Sequence, residues 1–306
     1  RKYQPVYLNL IEADFIHKWF LGLMRGIIMV DEDVLLEMTK EHLNIGLRGV
    51  PVGTCRTSFV TPTEGVHYCG YPIRELAGFE PEDIVYLLMN KELPDAAQSQ
   101  EIRQDIASRA KIPGDLESVL RALPKFGHPM DWLSIGIHTL GMFETTEDWK
   151  EDALNLIARM PRLMGLIFRI REGRDSNIPE DDTSMSLVDR FIHTLELENV
   201  DKGIMRRVIS TYLVLHMDHG GGNLSTFTGK AVASGKATVY SSIAGAMNAL
   251  SGPLHGRANQ SCLEFVLKIG TSVTEEVEAF VRAELEAGKP IFGFGHAVLR
   301  LSLIHI

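Results

Sequence analysis

Three histidines toward the carboxyl terminus stand in glycine-rich segments. His219 begins His-Gly-Gly-Gly-Asn, His255 lies in Gly-Pro-Leu-His-Gly, and His296 lies in Gly-Phe-Gly-His-Ala. Glycine lets the backbone approach a ligand closely, and a turn at a helix end presents N–H donors. A neutral imidazole can donate one hydrogen bond and accept another, which suits negative charge developing on carbonyl or carboxylate oxygens. The three segments therefore predict an active-site histidine cluster, with the reaction left open.

Other motifs do not identify a cofactor or a metal. Gly235-Lys236 lacks the earlier glycine and the following hydroxyl of a phosphate-binding loop, and Gly293-Phe294-Gly295 lacks the third glycine of a dinucleotide fingerprint. His216 and His219 have a spacing that suits a metal, but Asp218 could join them only by facing away from one of them. We therefore predict neither a metal site nor a resident cofactor.

The elements that must position these histidines are mostly helices. Apolar residues recur at helical spacing, and helix-start signals precede several of these stretches. One segment differs, since residues 56–70 are typical of a small β-hairpin. The chain is therefore predicted to be all-α, without the alternating strands of a parallel sheet. Helices are expected at about 31–43, 81–89, 97–110, 114–123, 128–142, from 149 onward, 162–172, 185–197, 203–217, 225–235, 238–250, 257–268 and 273–287.

Composition limits the class of protein further. The chain has 306 residues, of which 45% are hydrophobic and 23% charged, with a net charge of -9. Its length predicts two globular domains, and its acidity argues against bulk nucleic-acid binding. No apolar run is long enough to cross a membrane. Cys55, Cys69 and Cys262 have no C-x-x-C spacing, so we expect buried thiols in a reducing compartment.

Three segments together resemble the citrate synthase family. Residues 216–225 read His-Met-Asp-His-Gly-Gly-Gly-Asn-Leu-Ser, residues 252–260 read Gly-Pro-Leu-His-Gly-Arg-Ala-Asn-Gln, and residues 293–300 read Gly-Phe-Gly-His-Ala-Val-Leu-Arg. They occur in the family's order, and the third resembles the branch that includes the mitochondrial enzymes. The resemblance implies a helical fold with a large domain over residues 1–255 and an incomplete small domain over 256–300.

The resemblance also implies a reaction, the condensation of acetyl-CoA with oxaloacetate and water to give citrate and CoA. His255 resembles the donor to the thioester carbonyl oxygen while a carboxylate removes the methyl proton. Ser225 resembles the hydroxyl that orients this imidazole. His296 resembles the catalytic group that polarises and binds oxaloacetate at its ketone, and His219 resembles a further oxaloacetate ligand.

The expected CoA contacts come from the same resemblance. Arg300 and Arg48 resemble residues that contact CoA phosphates, although Arg48 could equally be a solvated surface arginine. Gly293 and Gly295 belong to a segment that resembles the loop along the CoA adenine. The family works as a homodimer, and residues 128–142 and 203–250 resemble its subunit interface. We expect a cytoplasmic enzyme if the source is bacterial, and a mitochondrial matrix enzyme if it is eukaryotic.

The sequence departs from the family directly after Arg300. The family continues with Asp-Pro-Arg, whereas this chain reads Leu-Ser-Leu-Ile-His-Ile over residues 301–306. We predict that this segment is a non-native tail, and that the catalytic aspartate and carboxylate-binding arginines are missing. The chain as given is then expected to be inactive. Two alternatives remain, a 2-methylcitrate synthase that uses propionyl-CoA and a catalytically silent acyl-CoA- or dicarboxylate-binding homologue.

Overall fold

The computed structural model describes residues 36–44, 50–61, 65–218, 220–253 and 255–291. The chain divides into two units, residues 1–51 and residues 52–306. In the first unit, residues 36–39 are irregular and Lys40–Asn44 form a 3-10 turn. The helix predicted over 31–43 is therefore wrong where it can be compared. The His42 imidazole accepts a hydrogen bond of 2.9 Å from the Thr39 N–H, a local contact that competes with helix formation.

The second unit begins with a small antiparallel sheet. Strands β1 (Ser58–Thr61), β2 (Gly65–Tyr68) and β3 (Tyr71–Pro72) lie in the order β1-β2-β3. Ser58 pairs with Tyr68, and Tyr68 also pairs with Tyr71. The hairpin predicted at 56–70 is confirmed. The third strand was not predicted, because two residues are too short to show an alternating pattern.

Helices make up most of the rest of this unit, which confirms the mainly helical prediction. Their ends follow the capping signals of the sequence, as where Asp95 begins a helix with a capping box. The helices are α1 (Ile73–Leu76), α2 (Pro81–Asn90), α3 (Ala96–Arg109), α4 (Gly114–Arg121), α5 (Pro129–Glu144), α6 (Trp149–Arg171), α7 (Leu187–Leu195), α8 (Lys202–His216), α9 (Leu224–Ser234), α10 (Val239–Leu250), α11 (Ala258–Ile269) and α12 (Thr274–Glu286). No helix in the described part of the chain has the length and apolar character needed to cross a bilayer.

Helix α6 joins two segments that the sequence predicts as separate helices. It runs without interruption through Pro161, which is itself buried. Proline inside a helix costs about 3 kcal/mol, because it lacks an N–H and its ring crowds the preceding turn. Leu156 and Leu163, on either side of it, are almost completely buried. Burial stabilises by roughly 1.5–3 kcal/mol for each such side chain, so packing offsets the cost of the proline.

Two apolar clusters hold the elements that surround the predicted site. The larger one joins α4, α5, α6 and α10, with Trp132 and Tyr240 among its buried residues. The smaller one joins Val66 and Tyr68 of the sheet to α1, α2 and Val214 of α8. Helix α8 therefore carries the segment after residue 216 to a fixed place beside the sheet.

Buried arginines hold the polar segment 173–183 against the helices. Arg162 donates to the Pro179 carbonyl at 2.9 Å, and Arg190 donates to the Asp181 carboxylate at 2.7 Å. Both arginines are buried. Because a buried guanidinium needs partners for its N–H groups, the carbonyls and the carboxylate of this half-buried segment satisfy the two arginines.

Candidate active site

The amino terminus of α9 forms one side of the candidate site. Asn223 is the N-cap, and its Oδ1 accepts hydrogen bonds from the Thr226 N–H at 2.9 Å and the Ser225 hydroxyl at 2.8 Å. The first N–H groups of a helix have no partner inside the helix. That of Ser225 donates instead to Nε2 of His255, at 3.2 Å. The structure therefore brings together two of the predicted catalytic residues.

This contact indicates which nitrogen of the His255 ring accepts a hydrogen bond. An imidazolium carries a proton on both nitrogens and cannot accept a hydrogen bond. Since Nε2 accepts from a backbone N–H, we assign the neutral tautomer with its proton on Nδ1. His255 can therefore act as a neutral hydrogen-bond donor through Nδ1.

The hydrogen bond from Ser225 to His255 comes from the backbone of Ser225. The sequence resemblance implies that its hydroxyl orients the imidazole, whereas the backbone N–H makes the recorded hydrogen bond. The hydroxyl donates to Asn223 and so belongs to the helix cap. The cap holds Ser225 in the first turn, where its N–H points out of the helix.

His255 lies in a tight turn between α10 and α11. The His255 N–H donates to the Gly252 carbonyl, and the Gly256 N–H donates to the Leu250 carbonyl, each at 3.0 Å. A Cβ on Gly256 would lie 2.4 Å from that carbonyl oxygen, closer than real Cβ contacts allow. Glycine at position 256 is thus required for the turn to fold back on the end of α10.

The segment after α8 is tied to the sheet through Asp218. Its carboxylate accepts a hydrogen bond from the Ser58 hydroxyl at 2.7 Å, another from the Thr57 hydroxyl, and a third from the Gly220 N–H at 2.7 Å. Gly220 has a φ of +82°, which favours glycine. Sequence reasoning considered Asp218 only as a metal ligand and missed this role. An aspartate followed two residues later by glycine is a turn signal that could have identified it.

Cys55 lies next to the Thr57 and Ser58 hydroxyls, with its Sγ 3.6 Å and 3.5 Å from their oxygens. The prediction of buried thiols is wrong for this residue, because its side chain is exposed. Partial burial by itself would raise the pKa of Cys55, but hydrogen bonds from Ser58 and Thr57 lower that pKa to about 7. Burial raises the pKa of the Cys69 thiol instead. Cys55 is therefore the more acidic of these two thiols.

The other predicted site residues cannot be compared with the structure. They lie outside the described residues, and the predicted tail at 301–306 does so as well. The predicted oxaloacetate ligands among them are His219 and His296, and the predicted CoA contacts are Arg48, Gly293, Gly295 and Arg300.

The described chain is mostly helical, and a hydrogen bond joins Ser225 at the start of α9 to His255 in the turn before α11. Comparison with known families identifies the class of protein to which this fold belongs. The family described as citrate synthase, C-terminal domain, matches residues 46–302. The chain belongs to the citrate synthase family, a family of enzymes.

Two relatives of this family carry different enzyme names. The chain is 34% identical over 296 residues to the mitochondrial 2-methylcitrate synthase of Yarrowia lipolytica, covering 87% of this chain and 63% of that protein. It is 33% identical over 296 residues to the mitochondrial citrate synthase of Saccharomyces cerevisiae, covering 87% of this chain and 61% of that protein. This chain therefore spans less than two thirds of the length of either relative.

The fold agrees with solved structures of the same family. Citrate synthase from Thermotoga maritima superimposes with a TM-score of 0.73 at 28% sequence identity, covering 84% of this chain and 68% of that one. Citrate synthase from Pyrobaculum aerophilum gives a TM-score of 0.72 at 26% identity, covering 82% of this chain and 65% of that one.

Proposed function

We propose that the protein containing this chain condenses acetyl-CoA with oxaloacetate and water to give citrate and free CoA. The observation that carries the proposal is the hydrogen bond from the Ser225 N–H to His255 Nε2, which makes the imidazole a neutral donor. Membership of the citrate synthase family supports the reaction class, and the relative of Saccharomyces cerevisiae named citrate synthase supports the substrates.

His255 acts on the acyl donor in this proposal. The methyl group of a thioester is a very weak acid, so removal of its proton needs stabilisation of the negative charge on the carbonyl oxygen. The Nδ1–H of His255 donates to that oxygen as an enol forms. A neutral donor suits this step, because it stabilises the enol without a full positive charge. The carboxylate that takes the proton is expected outside the described residues.

The remaining predicted residues bind the two substrates. His296 polarises the ketone of oxaloacetate as the enol carbon attacks it, and His219 binds the same substrate. Arg48 and Arg300 contact the CoA phosphates, while the backbone at Gly293 and Gly295 lies along the adenine. Acetyl-CoA is consumed in the reaction, so the proposal needs no resident cofactor and no metal.

A homodimer in an aqueous compartment completes the proposal. Ile204, Val208 and Tyr212 recur at every fourth residue of α8 with exposed fractions of 52%, 60% and 46%. An apolar stripe of this kind is typical of a surface that packs against another chain.

The compartment we propose is the bacterial cytoplasm, or the mitochondrial matrix if the source is eukaryotic, as the names of several relatives suggest.

Two other functions compete with this one. The relative of Yarrowia lipolytica named 2-methylcitrate synthase favours propionyl-CoA as the acyl donor. One extra methylene is worth only ~1–3 kcal/mol in an apolar pocket, so the residues of the shared chemistry do not separate the two substrates. The other competitor is a silent homologue that binds the substrates without turnover.

CoA release by the complete gene product distinguishes all three. With oxaloacetate present, we expect kcat/KM for acetyl-CoA to exceed that for propionyl-CoA by about tenfold or more. A higher value for propionyl-CoA would identify the 2-methylcitrate reaction instead. Oxaloacetate binding in a calorimeter without CoA release from either thioester would identify the silent homologue.

A further inference from the structure

Asp218 connects the sheet to Gly220, the residue that follows the predicted oxaloacetate ligand in the sequence. Its carboxylate accepts hydrogen bonds from the hydroxyls of Thr57 and Ser58 and from the Gly220 N–H. Ser58 is the first residue of β1 and Thr57 directly precedes it, while Gly220 follows position 219 in the sequence. One carboxyl group thus links both sequence neighbours of residue 219 to the sheet through three hydrogen bonds.

The sheet gives this carboxylate a rigid support. Ser58 is buried, and its strand partner Tyr68 is fully buried. The Tyr68 hydroxyl oxygen accepts a hydrogen bond of 3.2 Å from the Asp218 N–H, so both the backbone and the side chain of Asp218 are anchored. Tyr68 also belongs to the apolar cluster that includes Val214 of α8. The position of Asp218 is therefore fixed by a strand and by the packing of a helix.

We propose that Asp218 is a positioning residue that sets the geometry of oxaloacetate binding through residue 219. This inference rests on the proposed function, because it requires His219 to contact oxaloacetate. Substrate-binding groups must be held to about 0.5 Å, and supporting hydrogen bonds supply that precision. Loss of the link to the sheet should therefore weaken oxaloacetate binding and leave acyl-CoA binding almost unchanged.

A second aspartate provides a matched control for turn formation alone. Asp182 accepts hydrogen bonds from the Ser184 N–H at 2.9 Å and from the Ser184 hydroxyl at 2.6 Å, which is the same two-residue turn. Its recorded hydrogen bonds do not reach the sheet. Asp182→Ala therefore measures what such a turn contributes away from the proposed site.

The test compares variants that remove or keep the link, in the complete gene product. Thr57→Val removes one hydroxyl with little change of shape, and Thr57→Ser keeps it. We expect Thr57→Val and Asp218→Ala to raise KM for oxaloacetate by about tenfold, with KM for acetyl-CoA within about twofold of wild type. Thr57→Ser and Asp182→Ala should keep the wild-type KM for oxaloacetate.

Hydrogen exchange gives a readout that does not depend on turnover. Peptides covering residues 220–223 should exchange faster in Thr57→Val than in Thr57→Ser, because the segment loses one attachment. Equal KM values for oxaloacetate in Thr57→Val and wild type, or equal exchange in the two Thr57 variants, would overturn the positioning role alone. If the wild-type protein shows no turnover but Thr57→Val still exchanges faster than Thr57→Ser, the proposed function is overturned. The structural link between Asp218 and the sheet would still be supported.

Discussion

The backbone N–H of Ser225 donates to Nε2 of His255 across 3.2 Å, joining the first turn of α9 to the turn before α11. This relationship sets the tautomer of the imidazole, because the nitrogen that accepts cannot also carry the proton. The chemistry proposed for His255 follows from that one constraint.

The tautomer of His255 can be observed directly. In the complete gene product near pH 7, nitrogen-15 spectra of the His255 ring should contain a protonated signal for Nδ1 and an unprotonated signal for Nε2. His255→Gln identifies the two signals by their loss. Proton-bearing signals from both nitrogens would mean a cationic ring and would rule out the neutral donor.

Asn223→Ala should affect both stability and the site. Loss of an N-cap side chain costs about 1 kcal/mol of unfolding free energy, because the first N–H groups of α9 lose their acceptor. Urea denaturation measures this loss. Asn223→Asp keeps the Oδ1 acceptor and should restore most of the stability. If Asn223→Ala is as stable as wild type, the cap does not hold the first turn of α9.

Glu82 gives the unfolding free energy a dependence on pH. Its side chain is buried, its Oε1 accepts from the Leu187 N–H at 2.8 Å, and burial raises the pKa of the carboxyl above its usual 4.5. Ionisation therefore costs more in the folded than in the unfolded protein. The contribution of Glu82 to stability is full below pH 4.5 and is lost as pH rises through the higher folded pKa.

Glu82→Gln removes this ionisation and keeps an acceptor for the Leu187 N–H. Denaturation at several pH values should therefore find the variant more stable relative to wild type at pH 8 than at pH 4.5. Glu75→Gln, at an exposed position of α1, is the control. A constant difference between Glu82→Gln and wild type across this range would contradict a raised pKa for Glu82.

Much of the fold follows from local patterns in the sequence. The hairpin at 56–70 was predicted because its residues alternate around a turn, and most helices were predicted because their apolar residues repeat at helical spacing. Pro161 misled the prediction, since the burial of Leu156 and Leu163 depends on elements distant in the sequence. Tertiary packing of this kind has no signal within a short window.

Of the predicted site residues, the structure describes Ser225 and His255. Glycine-rich turns and the family resemblance identified Ser225 and His255, and the structure joins them. Neither the glycine-rich turns nor the family resemblance predicted a hydrogen bond from the backbone of Ser225. The type of a side chain does not indicate which atom its main-chain N–H contacts. The role of Asp218 was missed because its hydroxyl donors lie 160 and 161 residues away in the sequence.

Oxaloacetate-dependent release of CoA from acetyl-CoA, compared between wild type and His255→Ala in the complete gene product, tests the central claim most directly. His193→Ala, in α7 and outside the segments expected to form the subunit interface, controls for the loss of a histidine. We expect His255→Ala to lower kcat by about 100-fold or more with little change in KM for oxaloacetate, because the donor acts in the transition state. A kcat for His255→Ala equal to that of wild type would contradict the assignment of His255 to the chemistry.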